Sequence, residues 1–152
     1  MRSILLFLAS FILITSTNMV FAADDQHNAA HQHDMNMMDT RTSLNLSPQM
    51  KQHQLSNMRE HVKAIKIIVG LMAENKFEEA SGIAHNKLGL TPQMQAMCSN
   101  MGNDEFKTIG LAFHNSGDEL GEVLLTNDVN ASLRALNKTM QYCVQCHATF
   151  RQ

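Results

Sequence analysis

The sequence predicts an all-α fold, specifically an antiparallel four-helix bundle, and three observations support this. Apolar residues recur at spacings of three and four over most of the chain, as they do on one face of a helix. Only two prolines and seven glycines occur among 152 residues, which leaves room for long helices. No stretch alternates clearly between apolar and polar residues, so we expect no sheet. Amphipathic helices joined by short loops bury their apolar faces most simply as a bundle.

The first predicted helix begins at Ser47-Pro48, where a serine N-cap is followed by proline at the first helical position. Its apolar positions are spaced as on one face of a helix of about seven turns. They are Met58, Val62, Ile65, Val69 and Met72. We expect this stripe to face the core.

A second, shorter helix is predicted after Asn75, which forms a capping-box pattern with Glu78. Its apolar positions are Phe77, Ala80, Ala84 and Leu88. Gly89 is placed to end this helix as its C′ residue. Thr91-Pro92 then repeats the cap-and-proline signal, so we expect a further turn or two of helix there.

The third long helix is predicted to begin after Asn103, a favourable N-cap. Its apolar positions are Phe106, Ile109, Phe113, Leu120 and Leu124. Gly110, Gly117 and Gly121 lie inside it, and each costs about 1 kcal/mol relative to alanine. These glycines either allow a neighbouring helix or a cofactor to approach closely, or have no specific role.

The fourth helix is predicted to start near Asn127 or Asp128 and to run to Phe150. Its apolar stripe is Leu133, Leu136, Met140, Cys143 and His147. The predicted folded domain therefore covers residues 47–152, a usual size for a single domain.

The N-terminus has the pattern of a secretory signal peptide, residues 1–22. Arg2 supplies a positive charge, an apolar run follows, and Ala22 precedes the expected cleavage point. The apolar run is shorter than the ~18 residues that a membrane-spanning helix needs, so we favour a cleaved signal over a membrane anchor. The mature chain is expected in an exported, oxidising compartment, with no membrane span.

Residues 23–46 are predicted to form a disordered arm, because they are polar and show no helical or strand period. The arm holds several imidazoles and thioethers: His27, His31, His33, Met35, Met37 and Met38. Such side chains suit copper, and the histidines alone suit nickel or zinc, so a metal-handling module is an alternative function for this chain.

The motif Cys143-Val144-Gln145-Cys146-His147 carries the predicted chemistry. On a helix, positions i, i+3 and i+4 share a face, so both thiols and the imidazole point the same way. Two thiols can bond covalently to the vinyl groups of haem, and the adjacent imidazole can bind its iron. The pattern therefore predicts one covalently attached haem c.

The motif has two other interpretations. A thioredoxin-like redox pair needs its Cys-x-x-Cys after a strand in a βαβ unit, whereas this motif ends a long helix. A structural zinc site needs a second pair of cysteines or histidines at ligand spacing, and the sequence provides none.

A helical bundle whose haem-binding motif lies at the end of its last helix resembles the class II c-type cytochromes, the cytochrome c′ group. Residues 143–151, CVQCHATFR, match the family's ending, including its aromatic-basic pair. The resemblance implies a periplasmic electron-transfer protein of a Gram-negative-type bacterium, with periplasmic redox proteins as partners. It also leaves a homodimer open, since members of the family are often dimers.

Six-coordinate members of the family bind the iron with a second ligand, a methionine of the first helix, and Met58 matches its position. The alternative is that Met58 is an ordinary core residue. His61 and His114 are weaker candidates for the same role. Arg59 is a candidate partner for a haem propionate, although an exposed helix arginine explains it equally well. Cys98 lies outside the motif and is either a buried inert thiol or a link between subunits.

We therefore expect a protein that is not an enzyme and that cycles its haem between Fe(III) and Fe(II). A gas-binding or gas-sensing protein is an alternative, because some members of the family leave the sixth iron position open. The formal net charge of −2 argues against a nucleic-acid-binding protein. The sequence contains no catalytic triad, phosphate-binding loop or carboxylate pair that would indicate an enzyme.

Overall fold

The computed structural model describes residues 39–100 and 102–152. Within these residues the fold is all-α, as predicted. The helices are α1 (Pro48–Ala73), α2 (Phe77–Ile83), α3 (Pro92–Ser99), α4 (Asp104–Leu124) and α5 (Val129–Thr149), and a π-helical segment (Ala84–Leu88) continues α2. None of them is long and apolar enough to cross a membrane. The predicted signal peptide and most of the predicted arm lie outside the described residues.

Four of these helices begin with the side-chain caps that the sequence predicted. The Ser47 hydroxyl accepts a hydrogen bond from the Met50 N–H at 3.2 Å, and Pro48 follows it. The equivalent caps of the other three helices are Thr91, Asn103 and Asp128. Each cap satisfies a backbone N–H that the first turn of a helix leaves without a partner.

One prediction about the second helix is wrong. Asn75 forms no capping box: it lies in the left-handed region with φ 59°, which asparagine tolerates, and it ends the turn after α1. The N-cap of α2 is Lys76, without a side-chain hydrogen bond. Gly89 follows Leu88 and ends this helix as predicted, with an extended backbone rather than a left-handed one. A Cβ at this position would collide with the backbone carbonyl of His85 and with the carboxylate of Asp118.

The core forms mainly between α1, α2, the π-helical segment and α4. All the apolar positions predicted for the second and third helices are buried: Phe77, Ala80, Ala84, Leu88, Phe106, Ile109, Phe113, Leu120 and Leu124. A Cβ at Gly117 would collide with the backbone of Leu88, and one at Gly121 would collide with the ring of His85. These two glycines therefore allow the π-helical segment to pack closely on α4.

The predicted stripes of α1 and α5 are only partly buried. Val62 is 69% exposed and Val69 47%, while Ala64, Ile68 and Met72 face the core. On α5, Leu133 and Met140 are exposed, and the buried residues are Ser132, Leu136 and Thr139. A hydroxyl side chain can be buried in a helix interface when it bonds to a carbonyl. The Thr139 hydroxyl, for example, donates to the Ser116 carbonyl at 3.1 Å.

A two-stranded parallel sheet joins β1 (Thr42–Ser43) to β2 (Phe150–Arg151), so the prediction of no sheet is wrong for these residues. Strands of two residues are too short to show an alternating pattern. The Arg41 guanidinium also donates to the His147 carbonyl at 3.2 Å. The compact unit therefore begins at Thr40, earlier than the predicted boundary at 47, and the end of the predicted arm packs beside the end of α5.

Candidate functional site

A cavity of about 270 Å³ opens between α1, α3, α4 and α5. Its volume is many times the roughly 10–15 Å³ that admits one water molecule. Much of its wall is apolar and comes from Val62, Ile65, Phe106, Ile109 and Phe113. A space of this size and polarity suits a large apolar ligand that brings its own polar groups to the rim.

The motif residues of α5 form one side of this cavity. Cys143, Cys146 and His147 all line it. Cys143 packs against the main core, whereas Cys146 packs against the smaller cluster around Phe106 and Phe150. The helix therefore presents both thiols and the imidazole to the same space, as their spacing predicted.

Neither motif thiol forms a disulfide bond, and both are hard to ionise. Burial raises the pKa of Cys143. Burial, together with the neighbouring Cys143, raises the pKa of Cys146 to about 11. Thiols that exchange disulfides have lowered pKa values instead, so these cysteines do not have the environment of a thioredoxin-like pair. Among the described residues no group of three or more His, Cys, Asp or Glu side chains is arranged to hold a metal ion.

The part of the cavity lining that belongs to α1 includes Met58, Arg59 and His61. Met58 is half-buried and Arg59 is exposed. All the predicted site residues, on α1 and on α5, thus border a single cavity, although about 85 residues of chain separate the two groups.

Two histidines lie side by side in the cavity wall. The rings of His61 and His114 have centroids 5.6 Å apart in an edge-to-face arrangement, and Phe113 lies 4.9 Å from His61. Burial, with a smaller contribution from His114, lowers the pKa of His61 to about 4. Burial also lowers the pKa of His114, although its hydrogen bonds to backbone carbonyls oppose this. Both imidazoles are therefore neutral at pH 7, the form in which imidazole binds metals.

The third wall comes from α3, and sequence reasoning did not anticipate it. Met97 and the buried Cys98 line the cavity, and burial raises the pKa of Cys98. Met97 Sδ lies 3.2 Å from His53 Nε2, which ties α3 to the start of α1. A helix of eight residues carries too little periodic signal to predict which side it covers.

The donor set and the wall chemistry fit a c-type haem. Two thiols and an imidazole come from one helix, a thioether comes from another, and apolar side chains line the same cavity. Comparisons with protein-family models, with curated proteins and with solved structures find no match to this chain.

Proposed function

We propose that this protein is a periplasmic electron-transfer cytochrome that cycles one covalently bound haem between Fe(III) and Fe(II). The observation that carries the proposal is the shared cavity, which Cys143, Cys146, His147 and Met58 all line. The resemblance of the motif and its position to class II c-type cytochromes supports the same assignment.

The proposed architecture is an antiparallel four-helix bundle. Three of its helices are α1, α4 and α5, and the position of the fourth is filled by α2, the π-helical segment and α3 in succession. Support comes from the short turns at 74–76 and 125–128, which return the chain beside the preceding helix. Further support comes from contacts between α4 and α5, where Lys138 pairs with Glu119 and Thr139 with Ser116.

Five of the residues that line the cavity have a proposed role. Cys143 and Cys146 would form the thioether bonds, and His147 and Met58 would bind the iron. Arg59, which is exposed and borders the cavity, would pair with a propionate. When bound, the haem supplies one-electron chemistry, and the chain supplies ligands, apolar burial and an electron-accepting surface. A methionine ligand favours ferrous iron over ferric and raises the reduction potential.

The proposal includes export by the signal peptide of residues 1–22, a polar arm over much of 23–46, and soluble redox proteins as partners. The haem would be attached outside the cytoplasm. No enzymatic reaction is proposed for this chain.

A gas-binding function is the second candidate, and the apolar cavity with neutral His61 and His114 beside Met58 favours it. The absorption spectrum of the exported, haem-loaded protein separates the two functions. Electron transfer predicts a reversible oxidation and reduction cycle, low-spin iron in both states, and the weak red band of an Fe(III)–thioether bond. High-spin iron that takes up carbon monoxide readily would contradict electron transfer as the main function and support gas binding.

A further inference from the structure

A second donor lies beside Met58 on the same wall of the cavity. His61 is three positions further along α1, so the two side chains share a face of the helix and both line the cavity. Among the described residues, neither ring nitrogen of His61 has a hydrogen-bond partner. An imidazole in this position retains a nitrogen lone pair for a ligand in the cavity.

The two cavity histidines differ in how firmly they are held. His114 donates its Nδ1–H to the Leu88 carbonyl at 2.8 Å, and its side chain is buried. The His61 ring packs against the rings of Phe113 and His114, and among the described residues it makes no hydrogen bond. His61 can therefore turn about its side-chain torsions without breaking a hydrogen bond, whereas His114 cannot.

We infer that His61 is a reserve iron ligand, which takes the sixth position when Met58 leaves it. The inference rests on the proposed function, because it concerns the same cavity and the same haem. In the exchange the bond from Met58 Sδ breaks and a bond from an imidazole nitrogen of His61 forms, with no transfer of electrons or protons.

The exchange would change which partners the protein can reduce. Thioether ligation raises the reduction potential relative to imidazole ligation. The His61-bound form should therefore have a lower potential than the Met58-bound form. One chain would therefore have two reduction potentials, depending on whether Met58 or His61 is bound to the iron.

The test compares ferric, haem-loaded full chains by absorption and electron paramagnetic resonance. Met58→Ala should lose the thioether band but remain low-spin, and Met58→Ala/His61→Ala should become high-spin. Met58→Ala/His53→Ala is the matched control, because His53 lies on the same helix but outside the cavity lining, and it should remain low-spin. Added free imidazole should return Met58→Ala/His61→Ala to low spin, which shows that its cavity is intact.

High-spin iron in Met58→Ala, or low-spin iron in Met58→Ala/His61→Ala without added imidazole, would overturn the inference. Either result in a chain that carries covalent haem leaves the proposed function standing. A chain that acquires no haem refutes the proposed function and this inference together.

Discussion

His114 donates its Nδ1–H to the carbonyl oxygen of Leu88 across 2.8 Å, and this hydrogen bond ties the cavity wall on α4 to the end of the π-helical segment. It also fixes the tautomer of His114, because the donating Nδ1 carries the proton and Nε2 keeps its lone pair. The wall is therefore held in place by a bond between residues that are distant in sequence.

His114→Phe should destabilise the haem-free protein by about 1–3 kcal/mol, because the Leu88 carbonyl loses its buried donor. Urea unfolding followed by circular dichroism measures the change. Asn115→Ala, at the neighbouring exposed position, is the control and should alter the free energy of unfolding by less than about 0.5 kcal/mol. Equal stabilities of His114→Phe and the wild type would show that the hydrogen bond contributes nothing.

The stability of the haem-free protein should fall as the pH drops from 6.5 towards 4. The pKa of His61 is lowered to about 4, so in this range the unfolded chain binds a proton that the folded chain does not. The stabilising contribution is fully present above pH 6.5 and is lost as the pH falls towards the folded pKa, by about 1–3 kcal/mol.

Unfolding curves at several pH values test this, with His61→Phe expected to show a shallower fall than the wild type. Val62→Phe introduces the same ring at the next, exposed position without removing an imidazole, and it should keep the wild-type slope. The explanation fails if His61→Phe and the wild type lose stability in parallel.

Gly117→Ala should destabilise the protein by roughly 1–3 kcal/mol, because the new methyl group would overlap the backbone of Leu88. Gly70 provides a matched comparison: it lies inside α1 with no atom near the position of an added Cβ. Gly70→Ala should therefore stabilise the protein by about 0.5–1 kcal/mol through helix propensity alone. Thermal unfolding of both variants checks the opposite signs, and a shift of the same sign would contradict the close contact at Gly117.

Cys98 should not link two chains, because it is only 5% exposed and burial raises the pKa of its thiol. Non-reducing electrophoresis of the haem-loaded protein should show a single-chain band before and after Cys98→Ser. A thiol reagent should modify Cys98 slowly in the native protein and rapidly in urea. A double-mass band that disappears with Cys98→Ser would instead show that this face opens and joins subunits.

Local signals in the sequence predicted much of the fold. Ser47, Thr91, Asn103 and Asp128 act within one turn of their own helices, so the start of each helix could be predicted from adjacent residues. Which sides of α1 and α5 are exposed could not be predicted in this way. On α5, for example, the polar residue Thr139 is buried because its hydroxyl bonds to a carbonyl of α4. A contact of that kind depends on tertiary packing, which hydrophobic periodicity does not record.

In the candidate site, too, some features follow from the local sequence and others depend on tertiary packing. The placement of Cys143, Cys146 and His147 on one face follows from helical spacing alone. Met58 was assigned as an iron ligand from the family resemblance, and in the structure it lines the same cavity as the motif residues. The contribution of α3, and the bond from His114 to Leu88, depend on how distant segments pack, so no motif predicted them.

The most direct test is the mass of the motif peptide from the protein isolated from its natural source. We predict that the peptide containing Cys143 and Cys146 carries the added mass of one haem, and that a Cys143→Ala/Cys146→Ala chain carries none. An unmodified motif peptide from the natural protein would contradict the cytochrome assignment.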